Sequence, residues 1–171
     1  MGTLARVTPP ITVVLFVLLC VMPWGLGQSF HFALPLLPFA AIHYWARTSP
    51  TLMPSTFVFA AGLSVDVLSY GPLGYWSLVY LMGLGLTAGV ERVLPDTGPM
   101  SDYVNFCAVI AGLALIAWSC ASIYFIRVID WEPMASAAVM LALAYPLVRL
   151  LLGPVDRWLA GPRTLNLERR T

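Results

Sequence analysis

The sequence predicts an all-α membrane protein, a six-transmembrane-helix bundle in one domain, and three observations carry that expectation. Of the 171 residues, 60% are hydrophobic and 10% are charged, where a soluble domain carries about 25% charged residues. So few charges cannot clothe a water-soluble globule of this length. No Asp, Glu, Lys or Arg occurs in residues 7–46, 48–65, 67–90, 103–126 or 133–148, and a helix crossing a bilayer core takes about 20 mainly apolar residues. The arginines, finally, gather on alternate connections. A β-barrel would alternate polar and apolar residues, and these apolar runs are continuous. A net charge of +1 lacks the basic surface that nucleic acid requires.

The spans follow in order. The uncharged window 7–46 is too long for one crossing, and Gly25-Leu26-Gly27-Gln28-Ser29 breaks it into a hairpin of about 10–26 and 30–46. Arg6, the first apolar run and the small residues Gly25 and Gly27 before Gln28 imitate a signal peptide. Pro23 and Trp24 read instead as an interfacial helix end. A third span fits 52–69, closed by Tyr70-Gly71-Pro72, and a fourth fits 74–91. A polar segment from Glu91 to Asp102 leads to a fifth span, 103–126, long enough to tilt. Residues 127–132 make a loop. The sixth span, 133–152, starts with Pro133 in a permissible first-turn position and ends at Gly153-Pro154, leaving a tail of 153–171.

Six crossings put both termini on one side. Arg6, Arg47, Arg92, Arg149, Arg157, Arg163, Arg169 and Arg170 fall on that side and Arg127 falls opposite, so the positive-inside rule makes the termini cytoplasmic. Trp24, Trp45, Trp76, Trp131 and Trp158 lie at span ends, where aromatic belts form, and Trp118 lies deeper.

Helices in lipid associate through close backbone contact. Gly85 and Gly89 form a small-xxx-small pair beside Gly83, Ala108 and Gly112 repeat the spacing in the fifth span, and Ala138 and Ala142 repeat it in the sixth. These residues serve either packing within the bundle, the favoured reading, or a specific partner helix. Pro35 and Pro38 should kink the second span.

Asp66 is the most informative position, an acid inside the third span near its outer end. A carboxylate there must face protein or water, and Gly62, Asp66 and Ser69 share one helical stripe. It can anchor structure by accepting hydrogen bonds from the Tyr70–Gly74 turn or by pairing with Arg127, the favoured reading. Alternatively it binds a polar ligand or proton, or contacts another chain.

Other candidates say less. His31 and His43 stand roughly 18 Å apart along a helix and cannot share a metal. His43-Tyr44-Trp45 reads as an interfacial belt. Asp102, Asp130 and Glu132 sit in loops without metal-ligand spacing, and Glu91-Arg92 reads as a solvated helix end. Arg149 either snorkels to the cytoplasm or forms an intramembrane ion pair. Cys20, Cys107 and Cys120 lie in apolar runs, as buried thiols do. No phosphate loop, zinc-protease motif or nucleophile elbow occurs, so neither catalysis nor a cofactor is expected. The tail, with Arg157, Arg163, Arg169 and Arg170, reads as a frayed end, a headgroup contact or a partner contact.

Residues 35–90 add a resemblance. Pro35-Leu36-Leu37-Pro38 leads to Ile42-His43-Tyr44-Trp45 and then to Phe59-Ala60-Ala61-Gly62-Leu63-Ser64-Val65-Asp66-Val67-Leu68. Gly71-Pro72-Leu73-Gly74 and Leu78-Val79-Tyr80-Leu81 follow. The order and spacing resemble the rod shape-determining protein MreD family, with Gly62, Leu63, Asp66, Pro72, Leu73 and Gly74 in its signature positions. The resemblance implies a non-enzymatic inner-membrane subunit of the bacterial elongation (Rod) complex, scaffolding lateral peptidoglycan synthesis and rod shape. Its implied fold is similar to that of the S-components of energy-coupling-factor transporters. Its implied partners are MreC, docked at the outward end of spans three and four, with MreB, RodA and a class B penicillin-binding transpeptidase. The rival reading is a substrate-binding subunit of a vitamin-type transporter, which requires an outward polar pocket with several convergent hydrogen-bonding groups.

Overall fold

A computed structural model of the chain describes residues 3–22, 25, 33–95 and 98–160. Among them the fold is all-α, with six helices: α1 (Thr3–Val21), α2 (Leu37–Thr48), α3 (Ser55–Leu68), α4 (Tyr75–Val93), α5 (Pro99–Tyr124) and α6 (Glu132–Ala160). Single 3-10 turns precede α2 (Leu34–Leu36) and α3 (Pro50–Leu52). Stretches of 26 residues in each of two helices, Pro99–Tyr124 and Glu132–Arg157, are long and apolar enough to cross a membrane.

The element order matches the expected one, and the boundaries differ where proline was misread. Pro35 lies in the 3-10 turn and Pro38 in the first turn of α2, where a missing N–H costs nothing. They begin the helix and do not kink it. Helix α6 runs through Pro154 to Ala160, beyond the expected end at Gly153-Pro154. There the Arg157 Nε–H donates to the Gly153 carbonyl at 3.3 Å, at the surface. Helix α5 starts at Pro99, which places Asp102 in its first turn and not in a loop. The hairpin bend expected at 25–29 lies, apart from Gly25, outside the described residues, as do Trp24, His31 and the tail from 161 onward.

Two helix ends close without glycine. Tyr70 and Ile126 take positive φ values of 55° and 52°. Gly71 N–H reaches the Asp66 carbonyl at 3.1 Å and Arg127 N–H reaches the Ser122 carbonyl at 3.1 Å. Both are the six-to-one bond of a Schellman motif.

Helix α2 is the axis of the bundle. Every residue from Pro38 to Trp45 is buried, the pattern of a helix enclosed on all sides, and α1, α4 and α6 surround it. His43-Tyr44-Trp45 is therefore core and not an interfacial belt. The Trp45 indole N–H donates to Thr12 Oγ1 on α1 at 2.8 Å. Trp76 is also buried, and the Trp118 N–H donates to the Ile129 carbonyl at 2.8 Å. Trp131 is exposed.

Close packing depends on two glycines. A Cβ on Gly62 would lie 2.5 Å from the Ser77 Cα, and a Cβ on Gly83 would lie 2.5 Å from the Phe39 ring. Gly85 and Gly89 behave differently, since a Cβ on either meets nothing within 4 Å. With exposed Ala108 they line an apolar groove of about 550 Å³ on the outside of α4 and α5. Gly112 faces Leu86, whose Cδ1 would lie 3.2 Å from an added Cβ, and Ala138 is buried in α6.

These contacts predict opposite outcomes for two similar substitutions. Gly83→Ala should destabilise the protein by roughly 1–3 kcal/mol because the Phe39 ring must move. Gly89→Ala should be neutral or stabilising by up to about 1 kcal/mol, through helix propensity. Thermal unfolding of the purified variants separates the two.

Candidate functional site

The α3–α4 connection is built on Asp66. Helix α3 delivers it fully buried, beside the start of α4. Its Oδ2 accepts from the Gly74 N–H at 2.9 Å, the Ser77 N–H at 3.4 Å and the Ser77 hydroxyl at 3.3 Å. Its Oδ1 accepts from the Trp76 N–H at 2.9 Å. The first backbone donors of a helix have no partner within it, and a capping side chain normally takes the second and third. Here a residue of the preceding helix does so, with its negative charge at the positive end of the α4 dipole. The remaining donors are met locally: Tyr75 N–H reaches the Pro72 carbonyl at 3.2 Å and Leu78 N–H the Gly74 carbonyl at 2.9 Å.

Two neighbouring glycines make this approach possible. Gly62, one turn before Asp66, lets the α3 backbone lie against Ser77. Gly74 adopts φ 91° to turn the chain into α4, a conformation suited to glycine. Leu63 is half-buried. Pro72 lines a neighbouring cavity. Leu73 is 75% exposed and Tyr70 is 97% exposed, so the turn is rigid inside and bare outside. The expected bonds from the Tyr70–Gly74 turn are present through Gly74. No Asp66–Arg127 ion pair is found among the described residues.

The cavity beside the turn has a volume of about 460 Å³, and its walls include Pro35, Pro72, Tyr75, Trp76, Trp118 and Tyr124. Several polar atoms of this wall are already engaged. The Tyr75 hydroxyl donates to the Ala117 carbonyl at 2.8 Å, Trp118 donates to Ile129, and the Trp76 N–H donates to Asp66. Arg127 and Asp130 also line it.

A second polar centre occupies the opposite end of the bundle. Asp102 in α5 pairs with Arg47 at the end of α2 through Oδ1. Its Oδ2 accepts from Arg149 Nη1 on α6 at 3.0 Å and from the Tyr145 hydroxyl at 3.1 Å. Arg149 Nη1 also donates to the Pro99 carbonyl at 2.8 Å, and Glu91 stands 4.0 Å from Arg47 Nε. One carboxylate thus joins three helices. Of the two sequence readings of Arg149, the ion pair is realised. Next to this centre the Tyr145 ring stacks on Phe106 with centroids 3.8 Å apart. His43 lies edge-on to both rings, with Nδ1 3.1 Å from Thr87 Oγ1. The Thr87 hydroxyl donates to the Gly83 carbonyl, so it accepts from His43 Nδ1–H. Sequence reasoning missed this centre because its members are 47 or more positions apart in two of the three contacts with Asp102. The usable signal was the isolated arginine at position 149 in an apolar helix.

Both centres make predictions that thermal unfolding in detergent checks. Asp66→Ala leaves several buried N–H groups unsatisfied and should cost roughly 3 kcal/mol. Asp66→Asn retains one acceptor and should cost less. Asp102→Ala takes the close carboxylate from Arg47, whose side chain is 4% exposed, and should cost roughly 3–5 kcal/mol. Tyr145→Phe removes one hydrogen bond and should cost about 1 kcal/mol.

No protein-family model, no curated protein and no solved structure matches this chain.

Proposed function

We propose that this chain is a non-catalytic, six-span subunit of the bacterial inner membrane, with both termini cytoplasmic, that scaffolds the elongation complex for lateral peptidoglycan synthesis. The membrane placement draws on the charge-free windows, the arginine asymmetry and the bare apolar exterior. Ile11, Leu15 and Leu18 on α1, Leu115 on α5, and Leu143, Leu147 and Leu151 on α6 are all exposed. So much apolar surface asks for lipid or protein cover. The bundle on this reading is of the S-component type, with the long apolar helices α5 and α6 joined by four shorter ones among the described residues.

The observation that carries the scaffold reading is the saturation of the Asp66 carboxylate by four donors. A transport site needs polar groups left free for the ligand. Here the acid holds its own backbone, and its product is a stiff turn displaying Tyr70 and Leu73 at the extracytoplasmic end. Such a surface suits a bitopic partner, which the resemblance to the MreD family identifies as MreC. MreB, RodA and the class B transpeptidase would join through the assembled complex.

An affinity pull-down in mild detergent tests this reading. The chain should bring down a bitopic partner, and its depletion should round rod-shaped cells. Tyr70→Ala with Leu73→Arg should change stability by less than about 0.5 kcal/mol each, as for ordinary surface positions, yet lose the partner. Retention of the partner by this variant rejects the turn as the docking site. Stabilisation of the purified chain by a vitamin, with no partner captured, rejects the scaffold in favour of the transporter subunit.

A further inference from the structure

The arginine-rich end holds a cavity of about 830 Å³ between α2, α5 and α6, and the scaffold reading leaves it unused. Its charged lining is mixed: Arg47, Arg149 and Arg157 against Glu91, Asp102 and Asp156. Arg47 and Asp102 face each other. The other charges open outward. Arg149 engages Nη1 internally and keeps a side-chain exposure of 36%. Arg157 is exposed two turns further along α6. Gly153 stands midway between these arginines on the same helical face, at the i, i+4, i+8 spacing. Its missing side chain leaves a notch: a Cβ there would lie 3.9 Å from the Tyr44 hydroxyl, which has no hydrogen-bond partner among the described residues. Two guanidiniums and a hydroxyl around a glycine notch form a seat for a phosphate.

The acidic side of the cavity asks for a cation. Asp156 is half-buried and forms no ion pair among the described residues. The third requirement, a place for hydrocarbon, is met at the rim. Leu150 and Met100 line the cavity and are exposed. Exposed Leu147 and Leu143 continue that apolar track along α6 at helical spacing. A soluble ligand has no use for such a track.

We propose that this cavity binds the headgroup of a zwitterionic, primary-amine phospholipid, with the phosphate between Arg149 and Arg157 over Gly153 and the ammonium against Asp156. The acyl chains run along Leu150, Leu147 and Leu143. The inference rests on the membrane placement proposed above and on no particular partner. Three positive and three negative lining groups select a zwitterion over a purely anionic head. The need for N–H donors selects ethanolamine over choline, whose quaternary ammonium has none.

The test uses the purified full chain, delipidated in detergent. Phosphatidylethanolamine, phosphatidylglycerol, phosphatidylcholine and water-soluble glycerophosphoethanolamine are added separately. Native mass spectrometry reads retention and thermal unfolding reads stabilisation. Phosphatidylethanolamine should be retained at least about tenfold better than the other three, and Gly153→Leu and Arg157→Gln should each abolish that preference. Both substitutions lie outside the Asp102 cluster and Arg157→Gln gives up only an exposed bond to the Gly153 carbonyl, so unfolding without lipid should change little and a loss of binding reads the site itself. Equal retention of phosphatidylcholine or phosphatidylglycerol overturns the zwitterion. Equal binding of the soluble headgroup overturns the lipid source. A preference untouched by both variants overturns the cavity. Extraction of the chain from membranes by alkaline carbonate rejects the membrane placement itself. A chain that stays in the bilayer and shows no lipid preference rejects this inference alone.

Discussion

The start of α4 lies against another helix, away from any water that could satisfy its backbone. The Asp66 carboxylate supplies the missing acceptors, and much of the architecture follows from that need. The same residue offers its backbone carbonyl to Gly71 as α3 ends, so one position closes one helix and opens the next. An acceptor can serve this way only if two backbones approach closely. Gly62 provides the approach, because any Cβ there would collide with the Ser77 main chain. Glycine, acid and turn form one mechanical unit.

The opposite end uses the same device with different chemistry. Asp102 draws α2 and α6 to the first turn of α5 through Arg47, Arg149 and Tyr145. Arg47, Arg149 and Arg157 gather at this end with Glu91, Asp102 and Asp156, so its charge is mixed. The bundle is thus fastened by a carboxylate at each end, with largely apolar packing between them. That arrangement fixes helix register where leucine-rich faces alone would slide. It also leaves the turn at one end and the mixed-charge cavity at the other as distinct surfaces.

The six elements were readable because charge-free windows and Gly/Pro breaks are local properties. Asp66 as an anchor was readable because an acid inside an apolar helix must have a partner, and its nearest donors lay within the following turn. Asp102 was not readable as a site. Its partners are brought together by packing, and the sequence placed it in a loop. Glycine spacing misled in a similar way: Gly85 and Gly89 form the recognisable pair, yet Gly62 and Gly83 make the close contacts. Spacing along one helix says nothing about which face meets a neighbour. The aromatic run at 43–45 failed for the same reason, since interfacial and central helices share a composition.

The sequence by itself determined the helical class, the element order and the anchoring role of Asp66, because hydrophobic run length, turn chemistry and the cost of a bare carboxylate act over short stretches of chain. Tertiary structure alone decided that α2 is central, which glycines are contacts, that three helices share Asp102, and that a cavity of mixed charge opens beside it. Those outcomes depend on which faces meet in space. Residues tens of positions apart acquire their chemistry there from neighbours that no local pattern names.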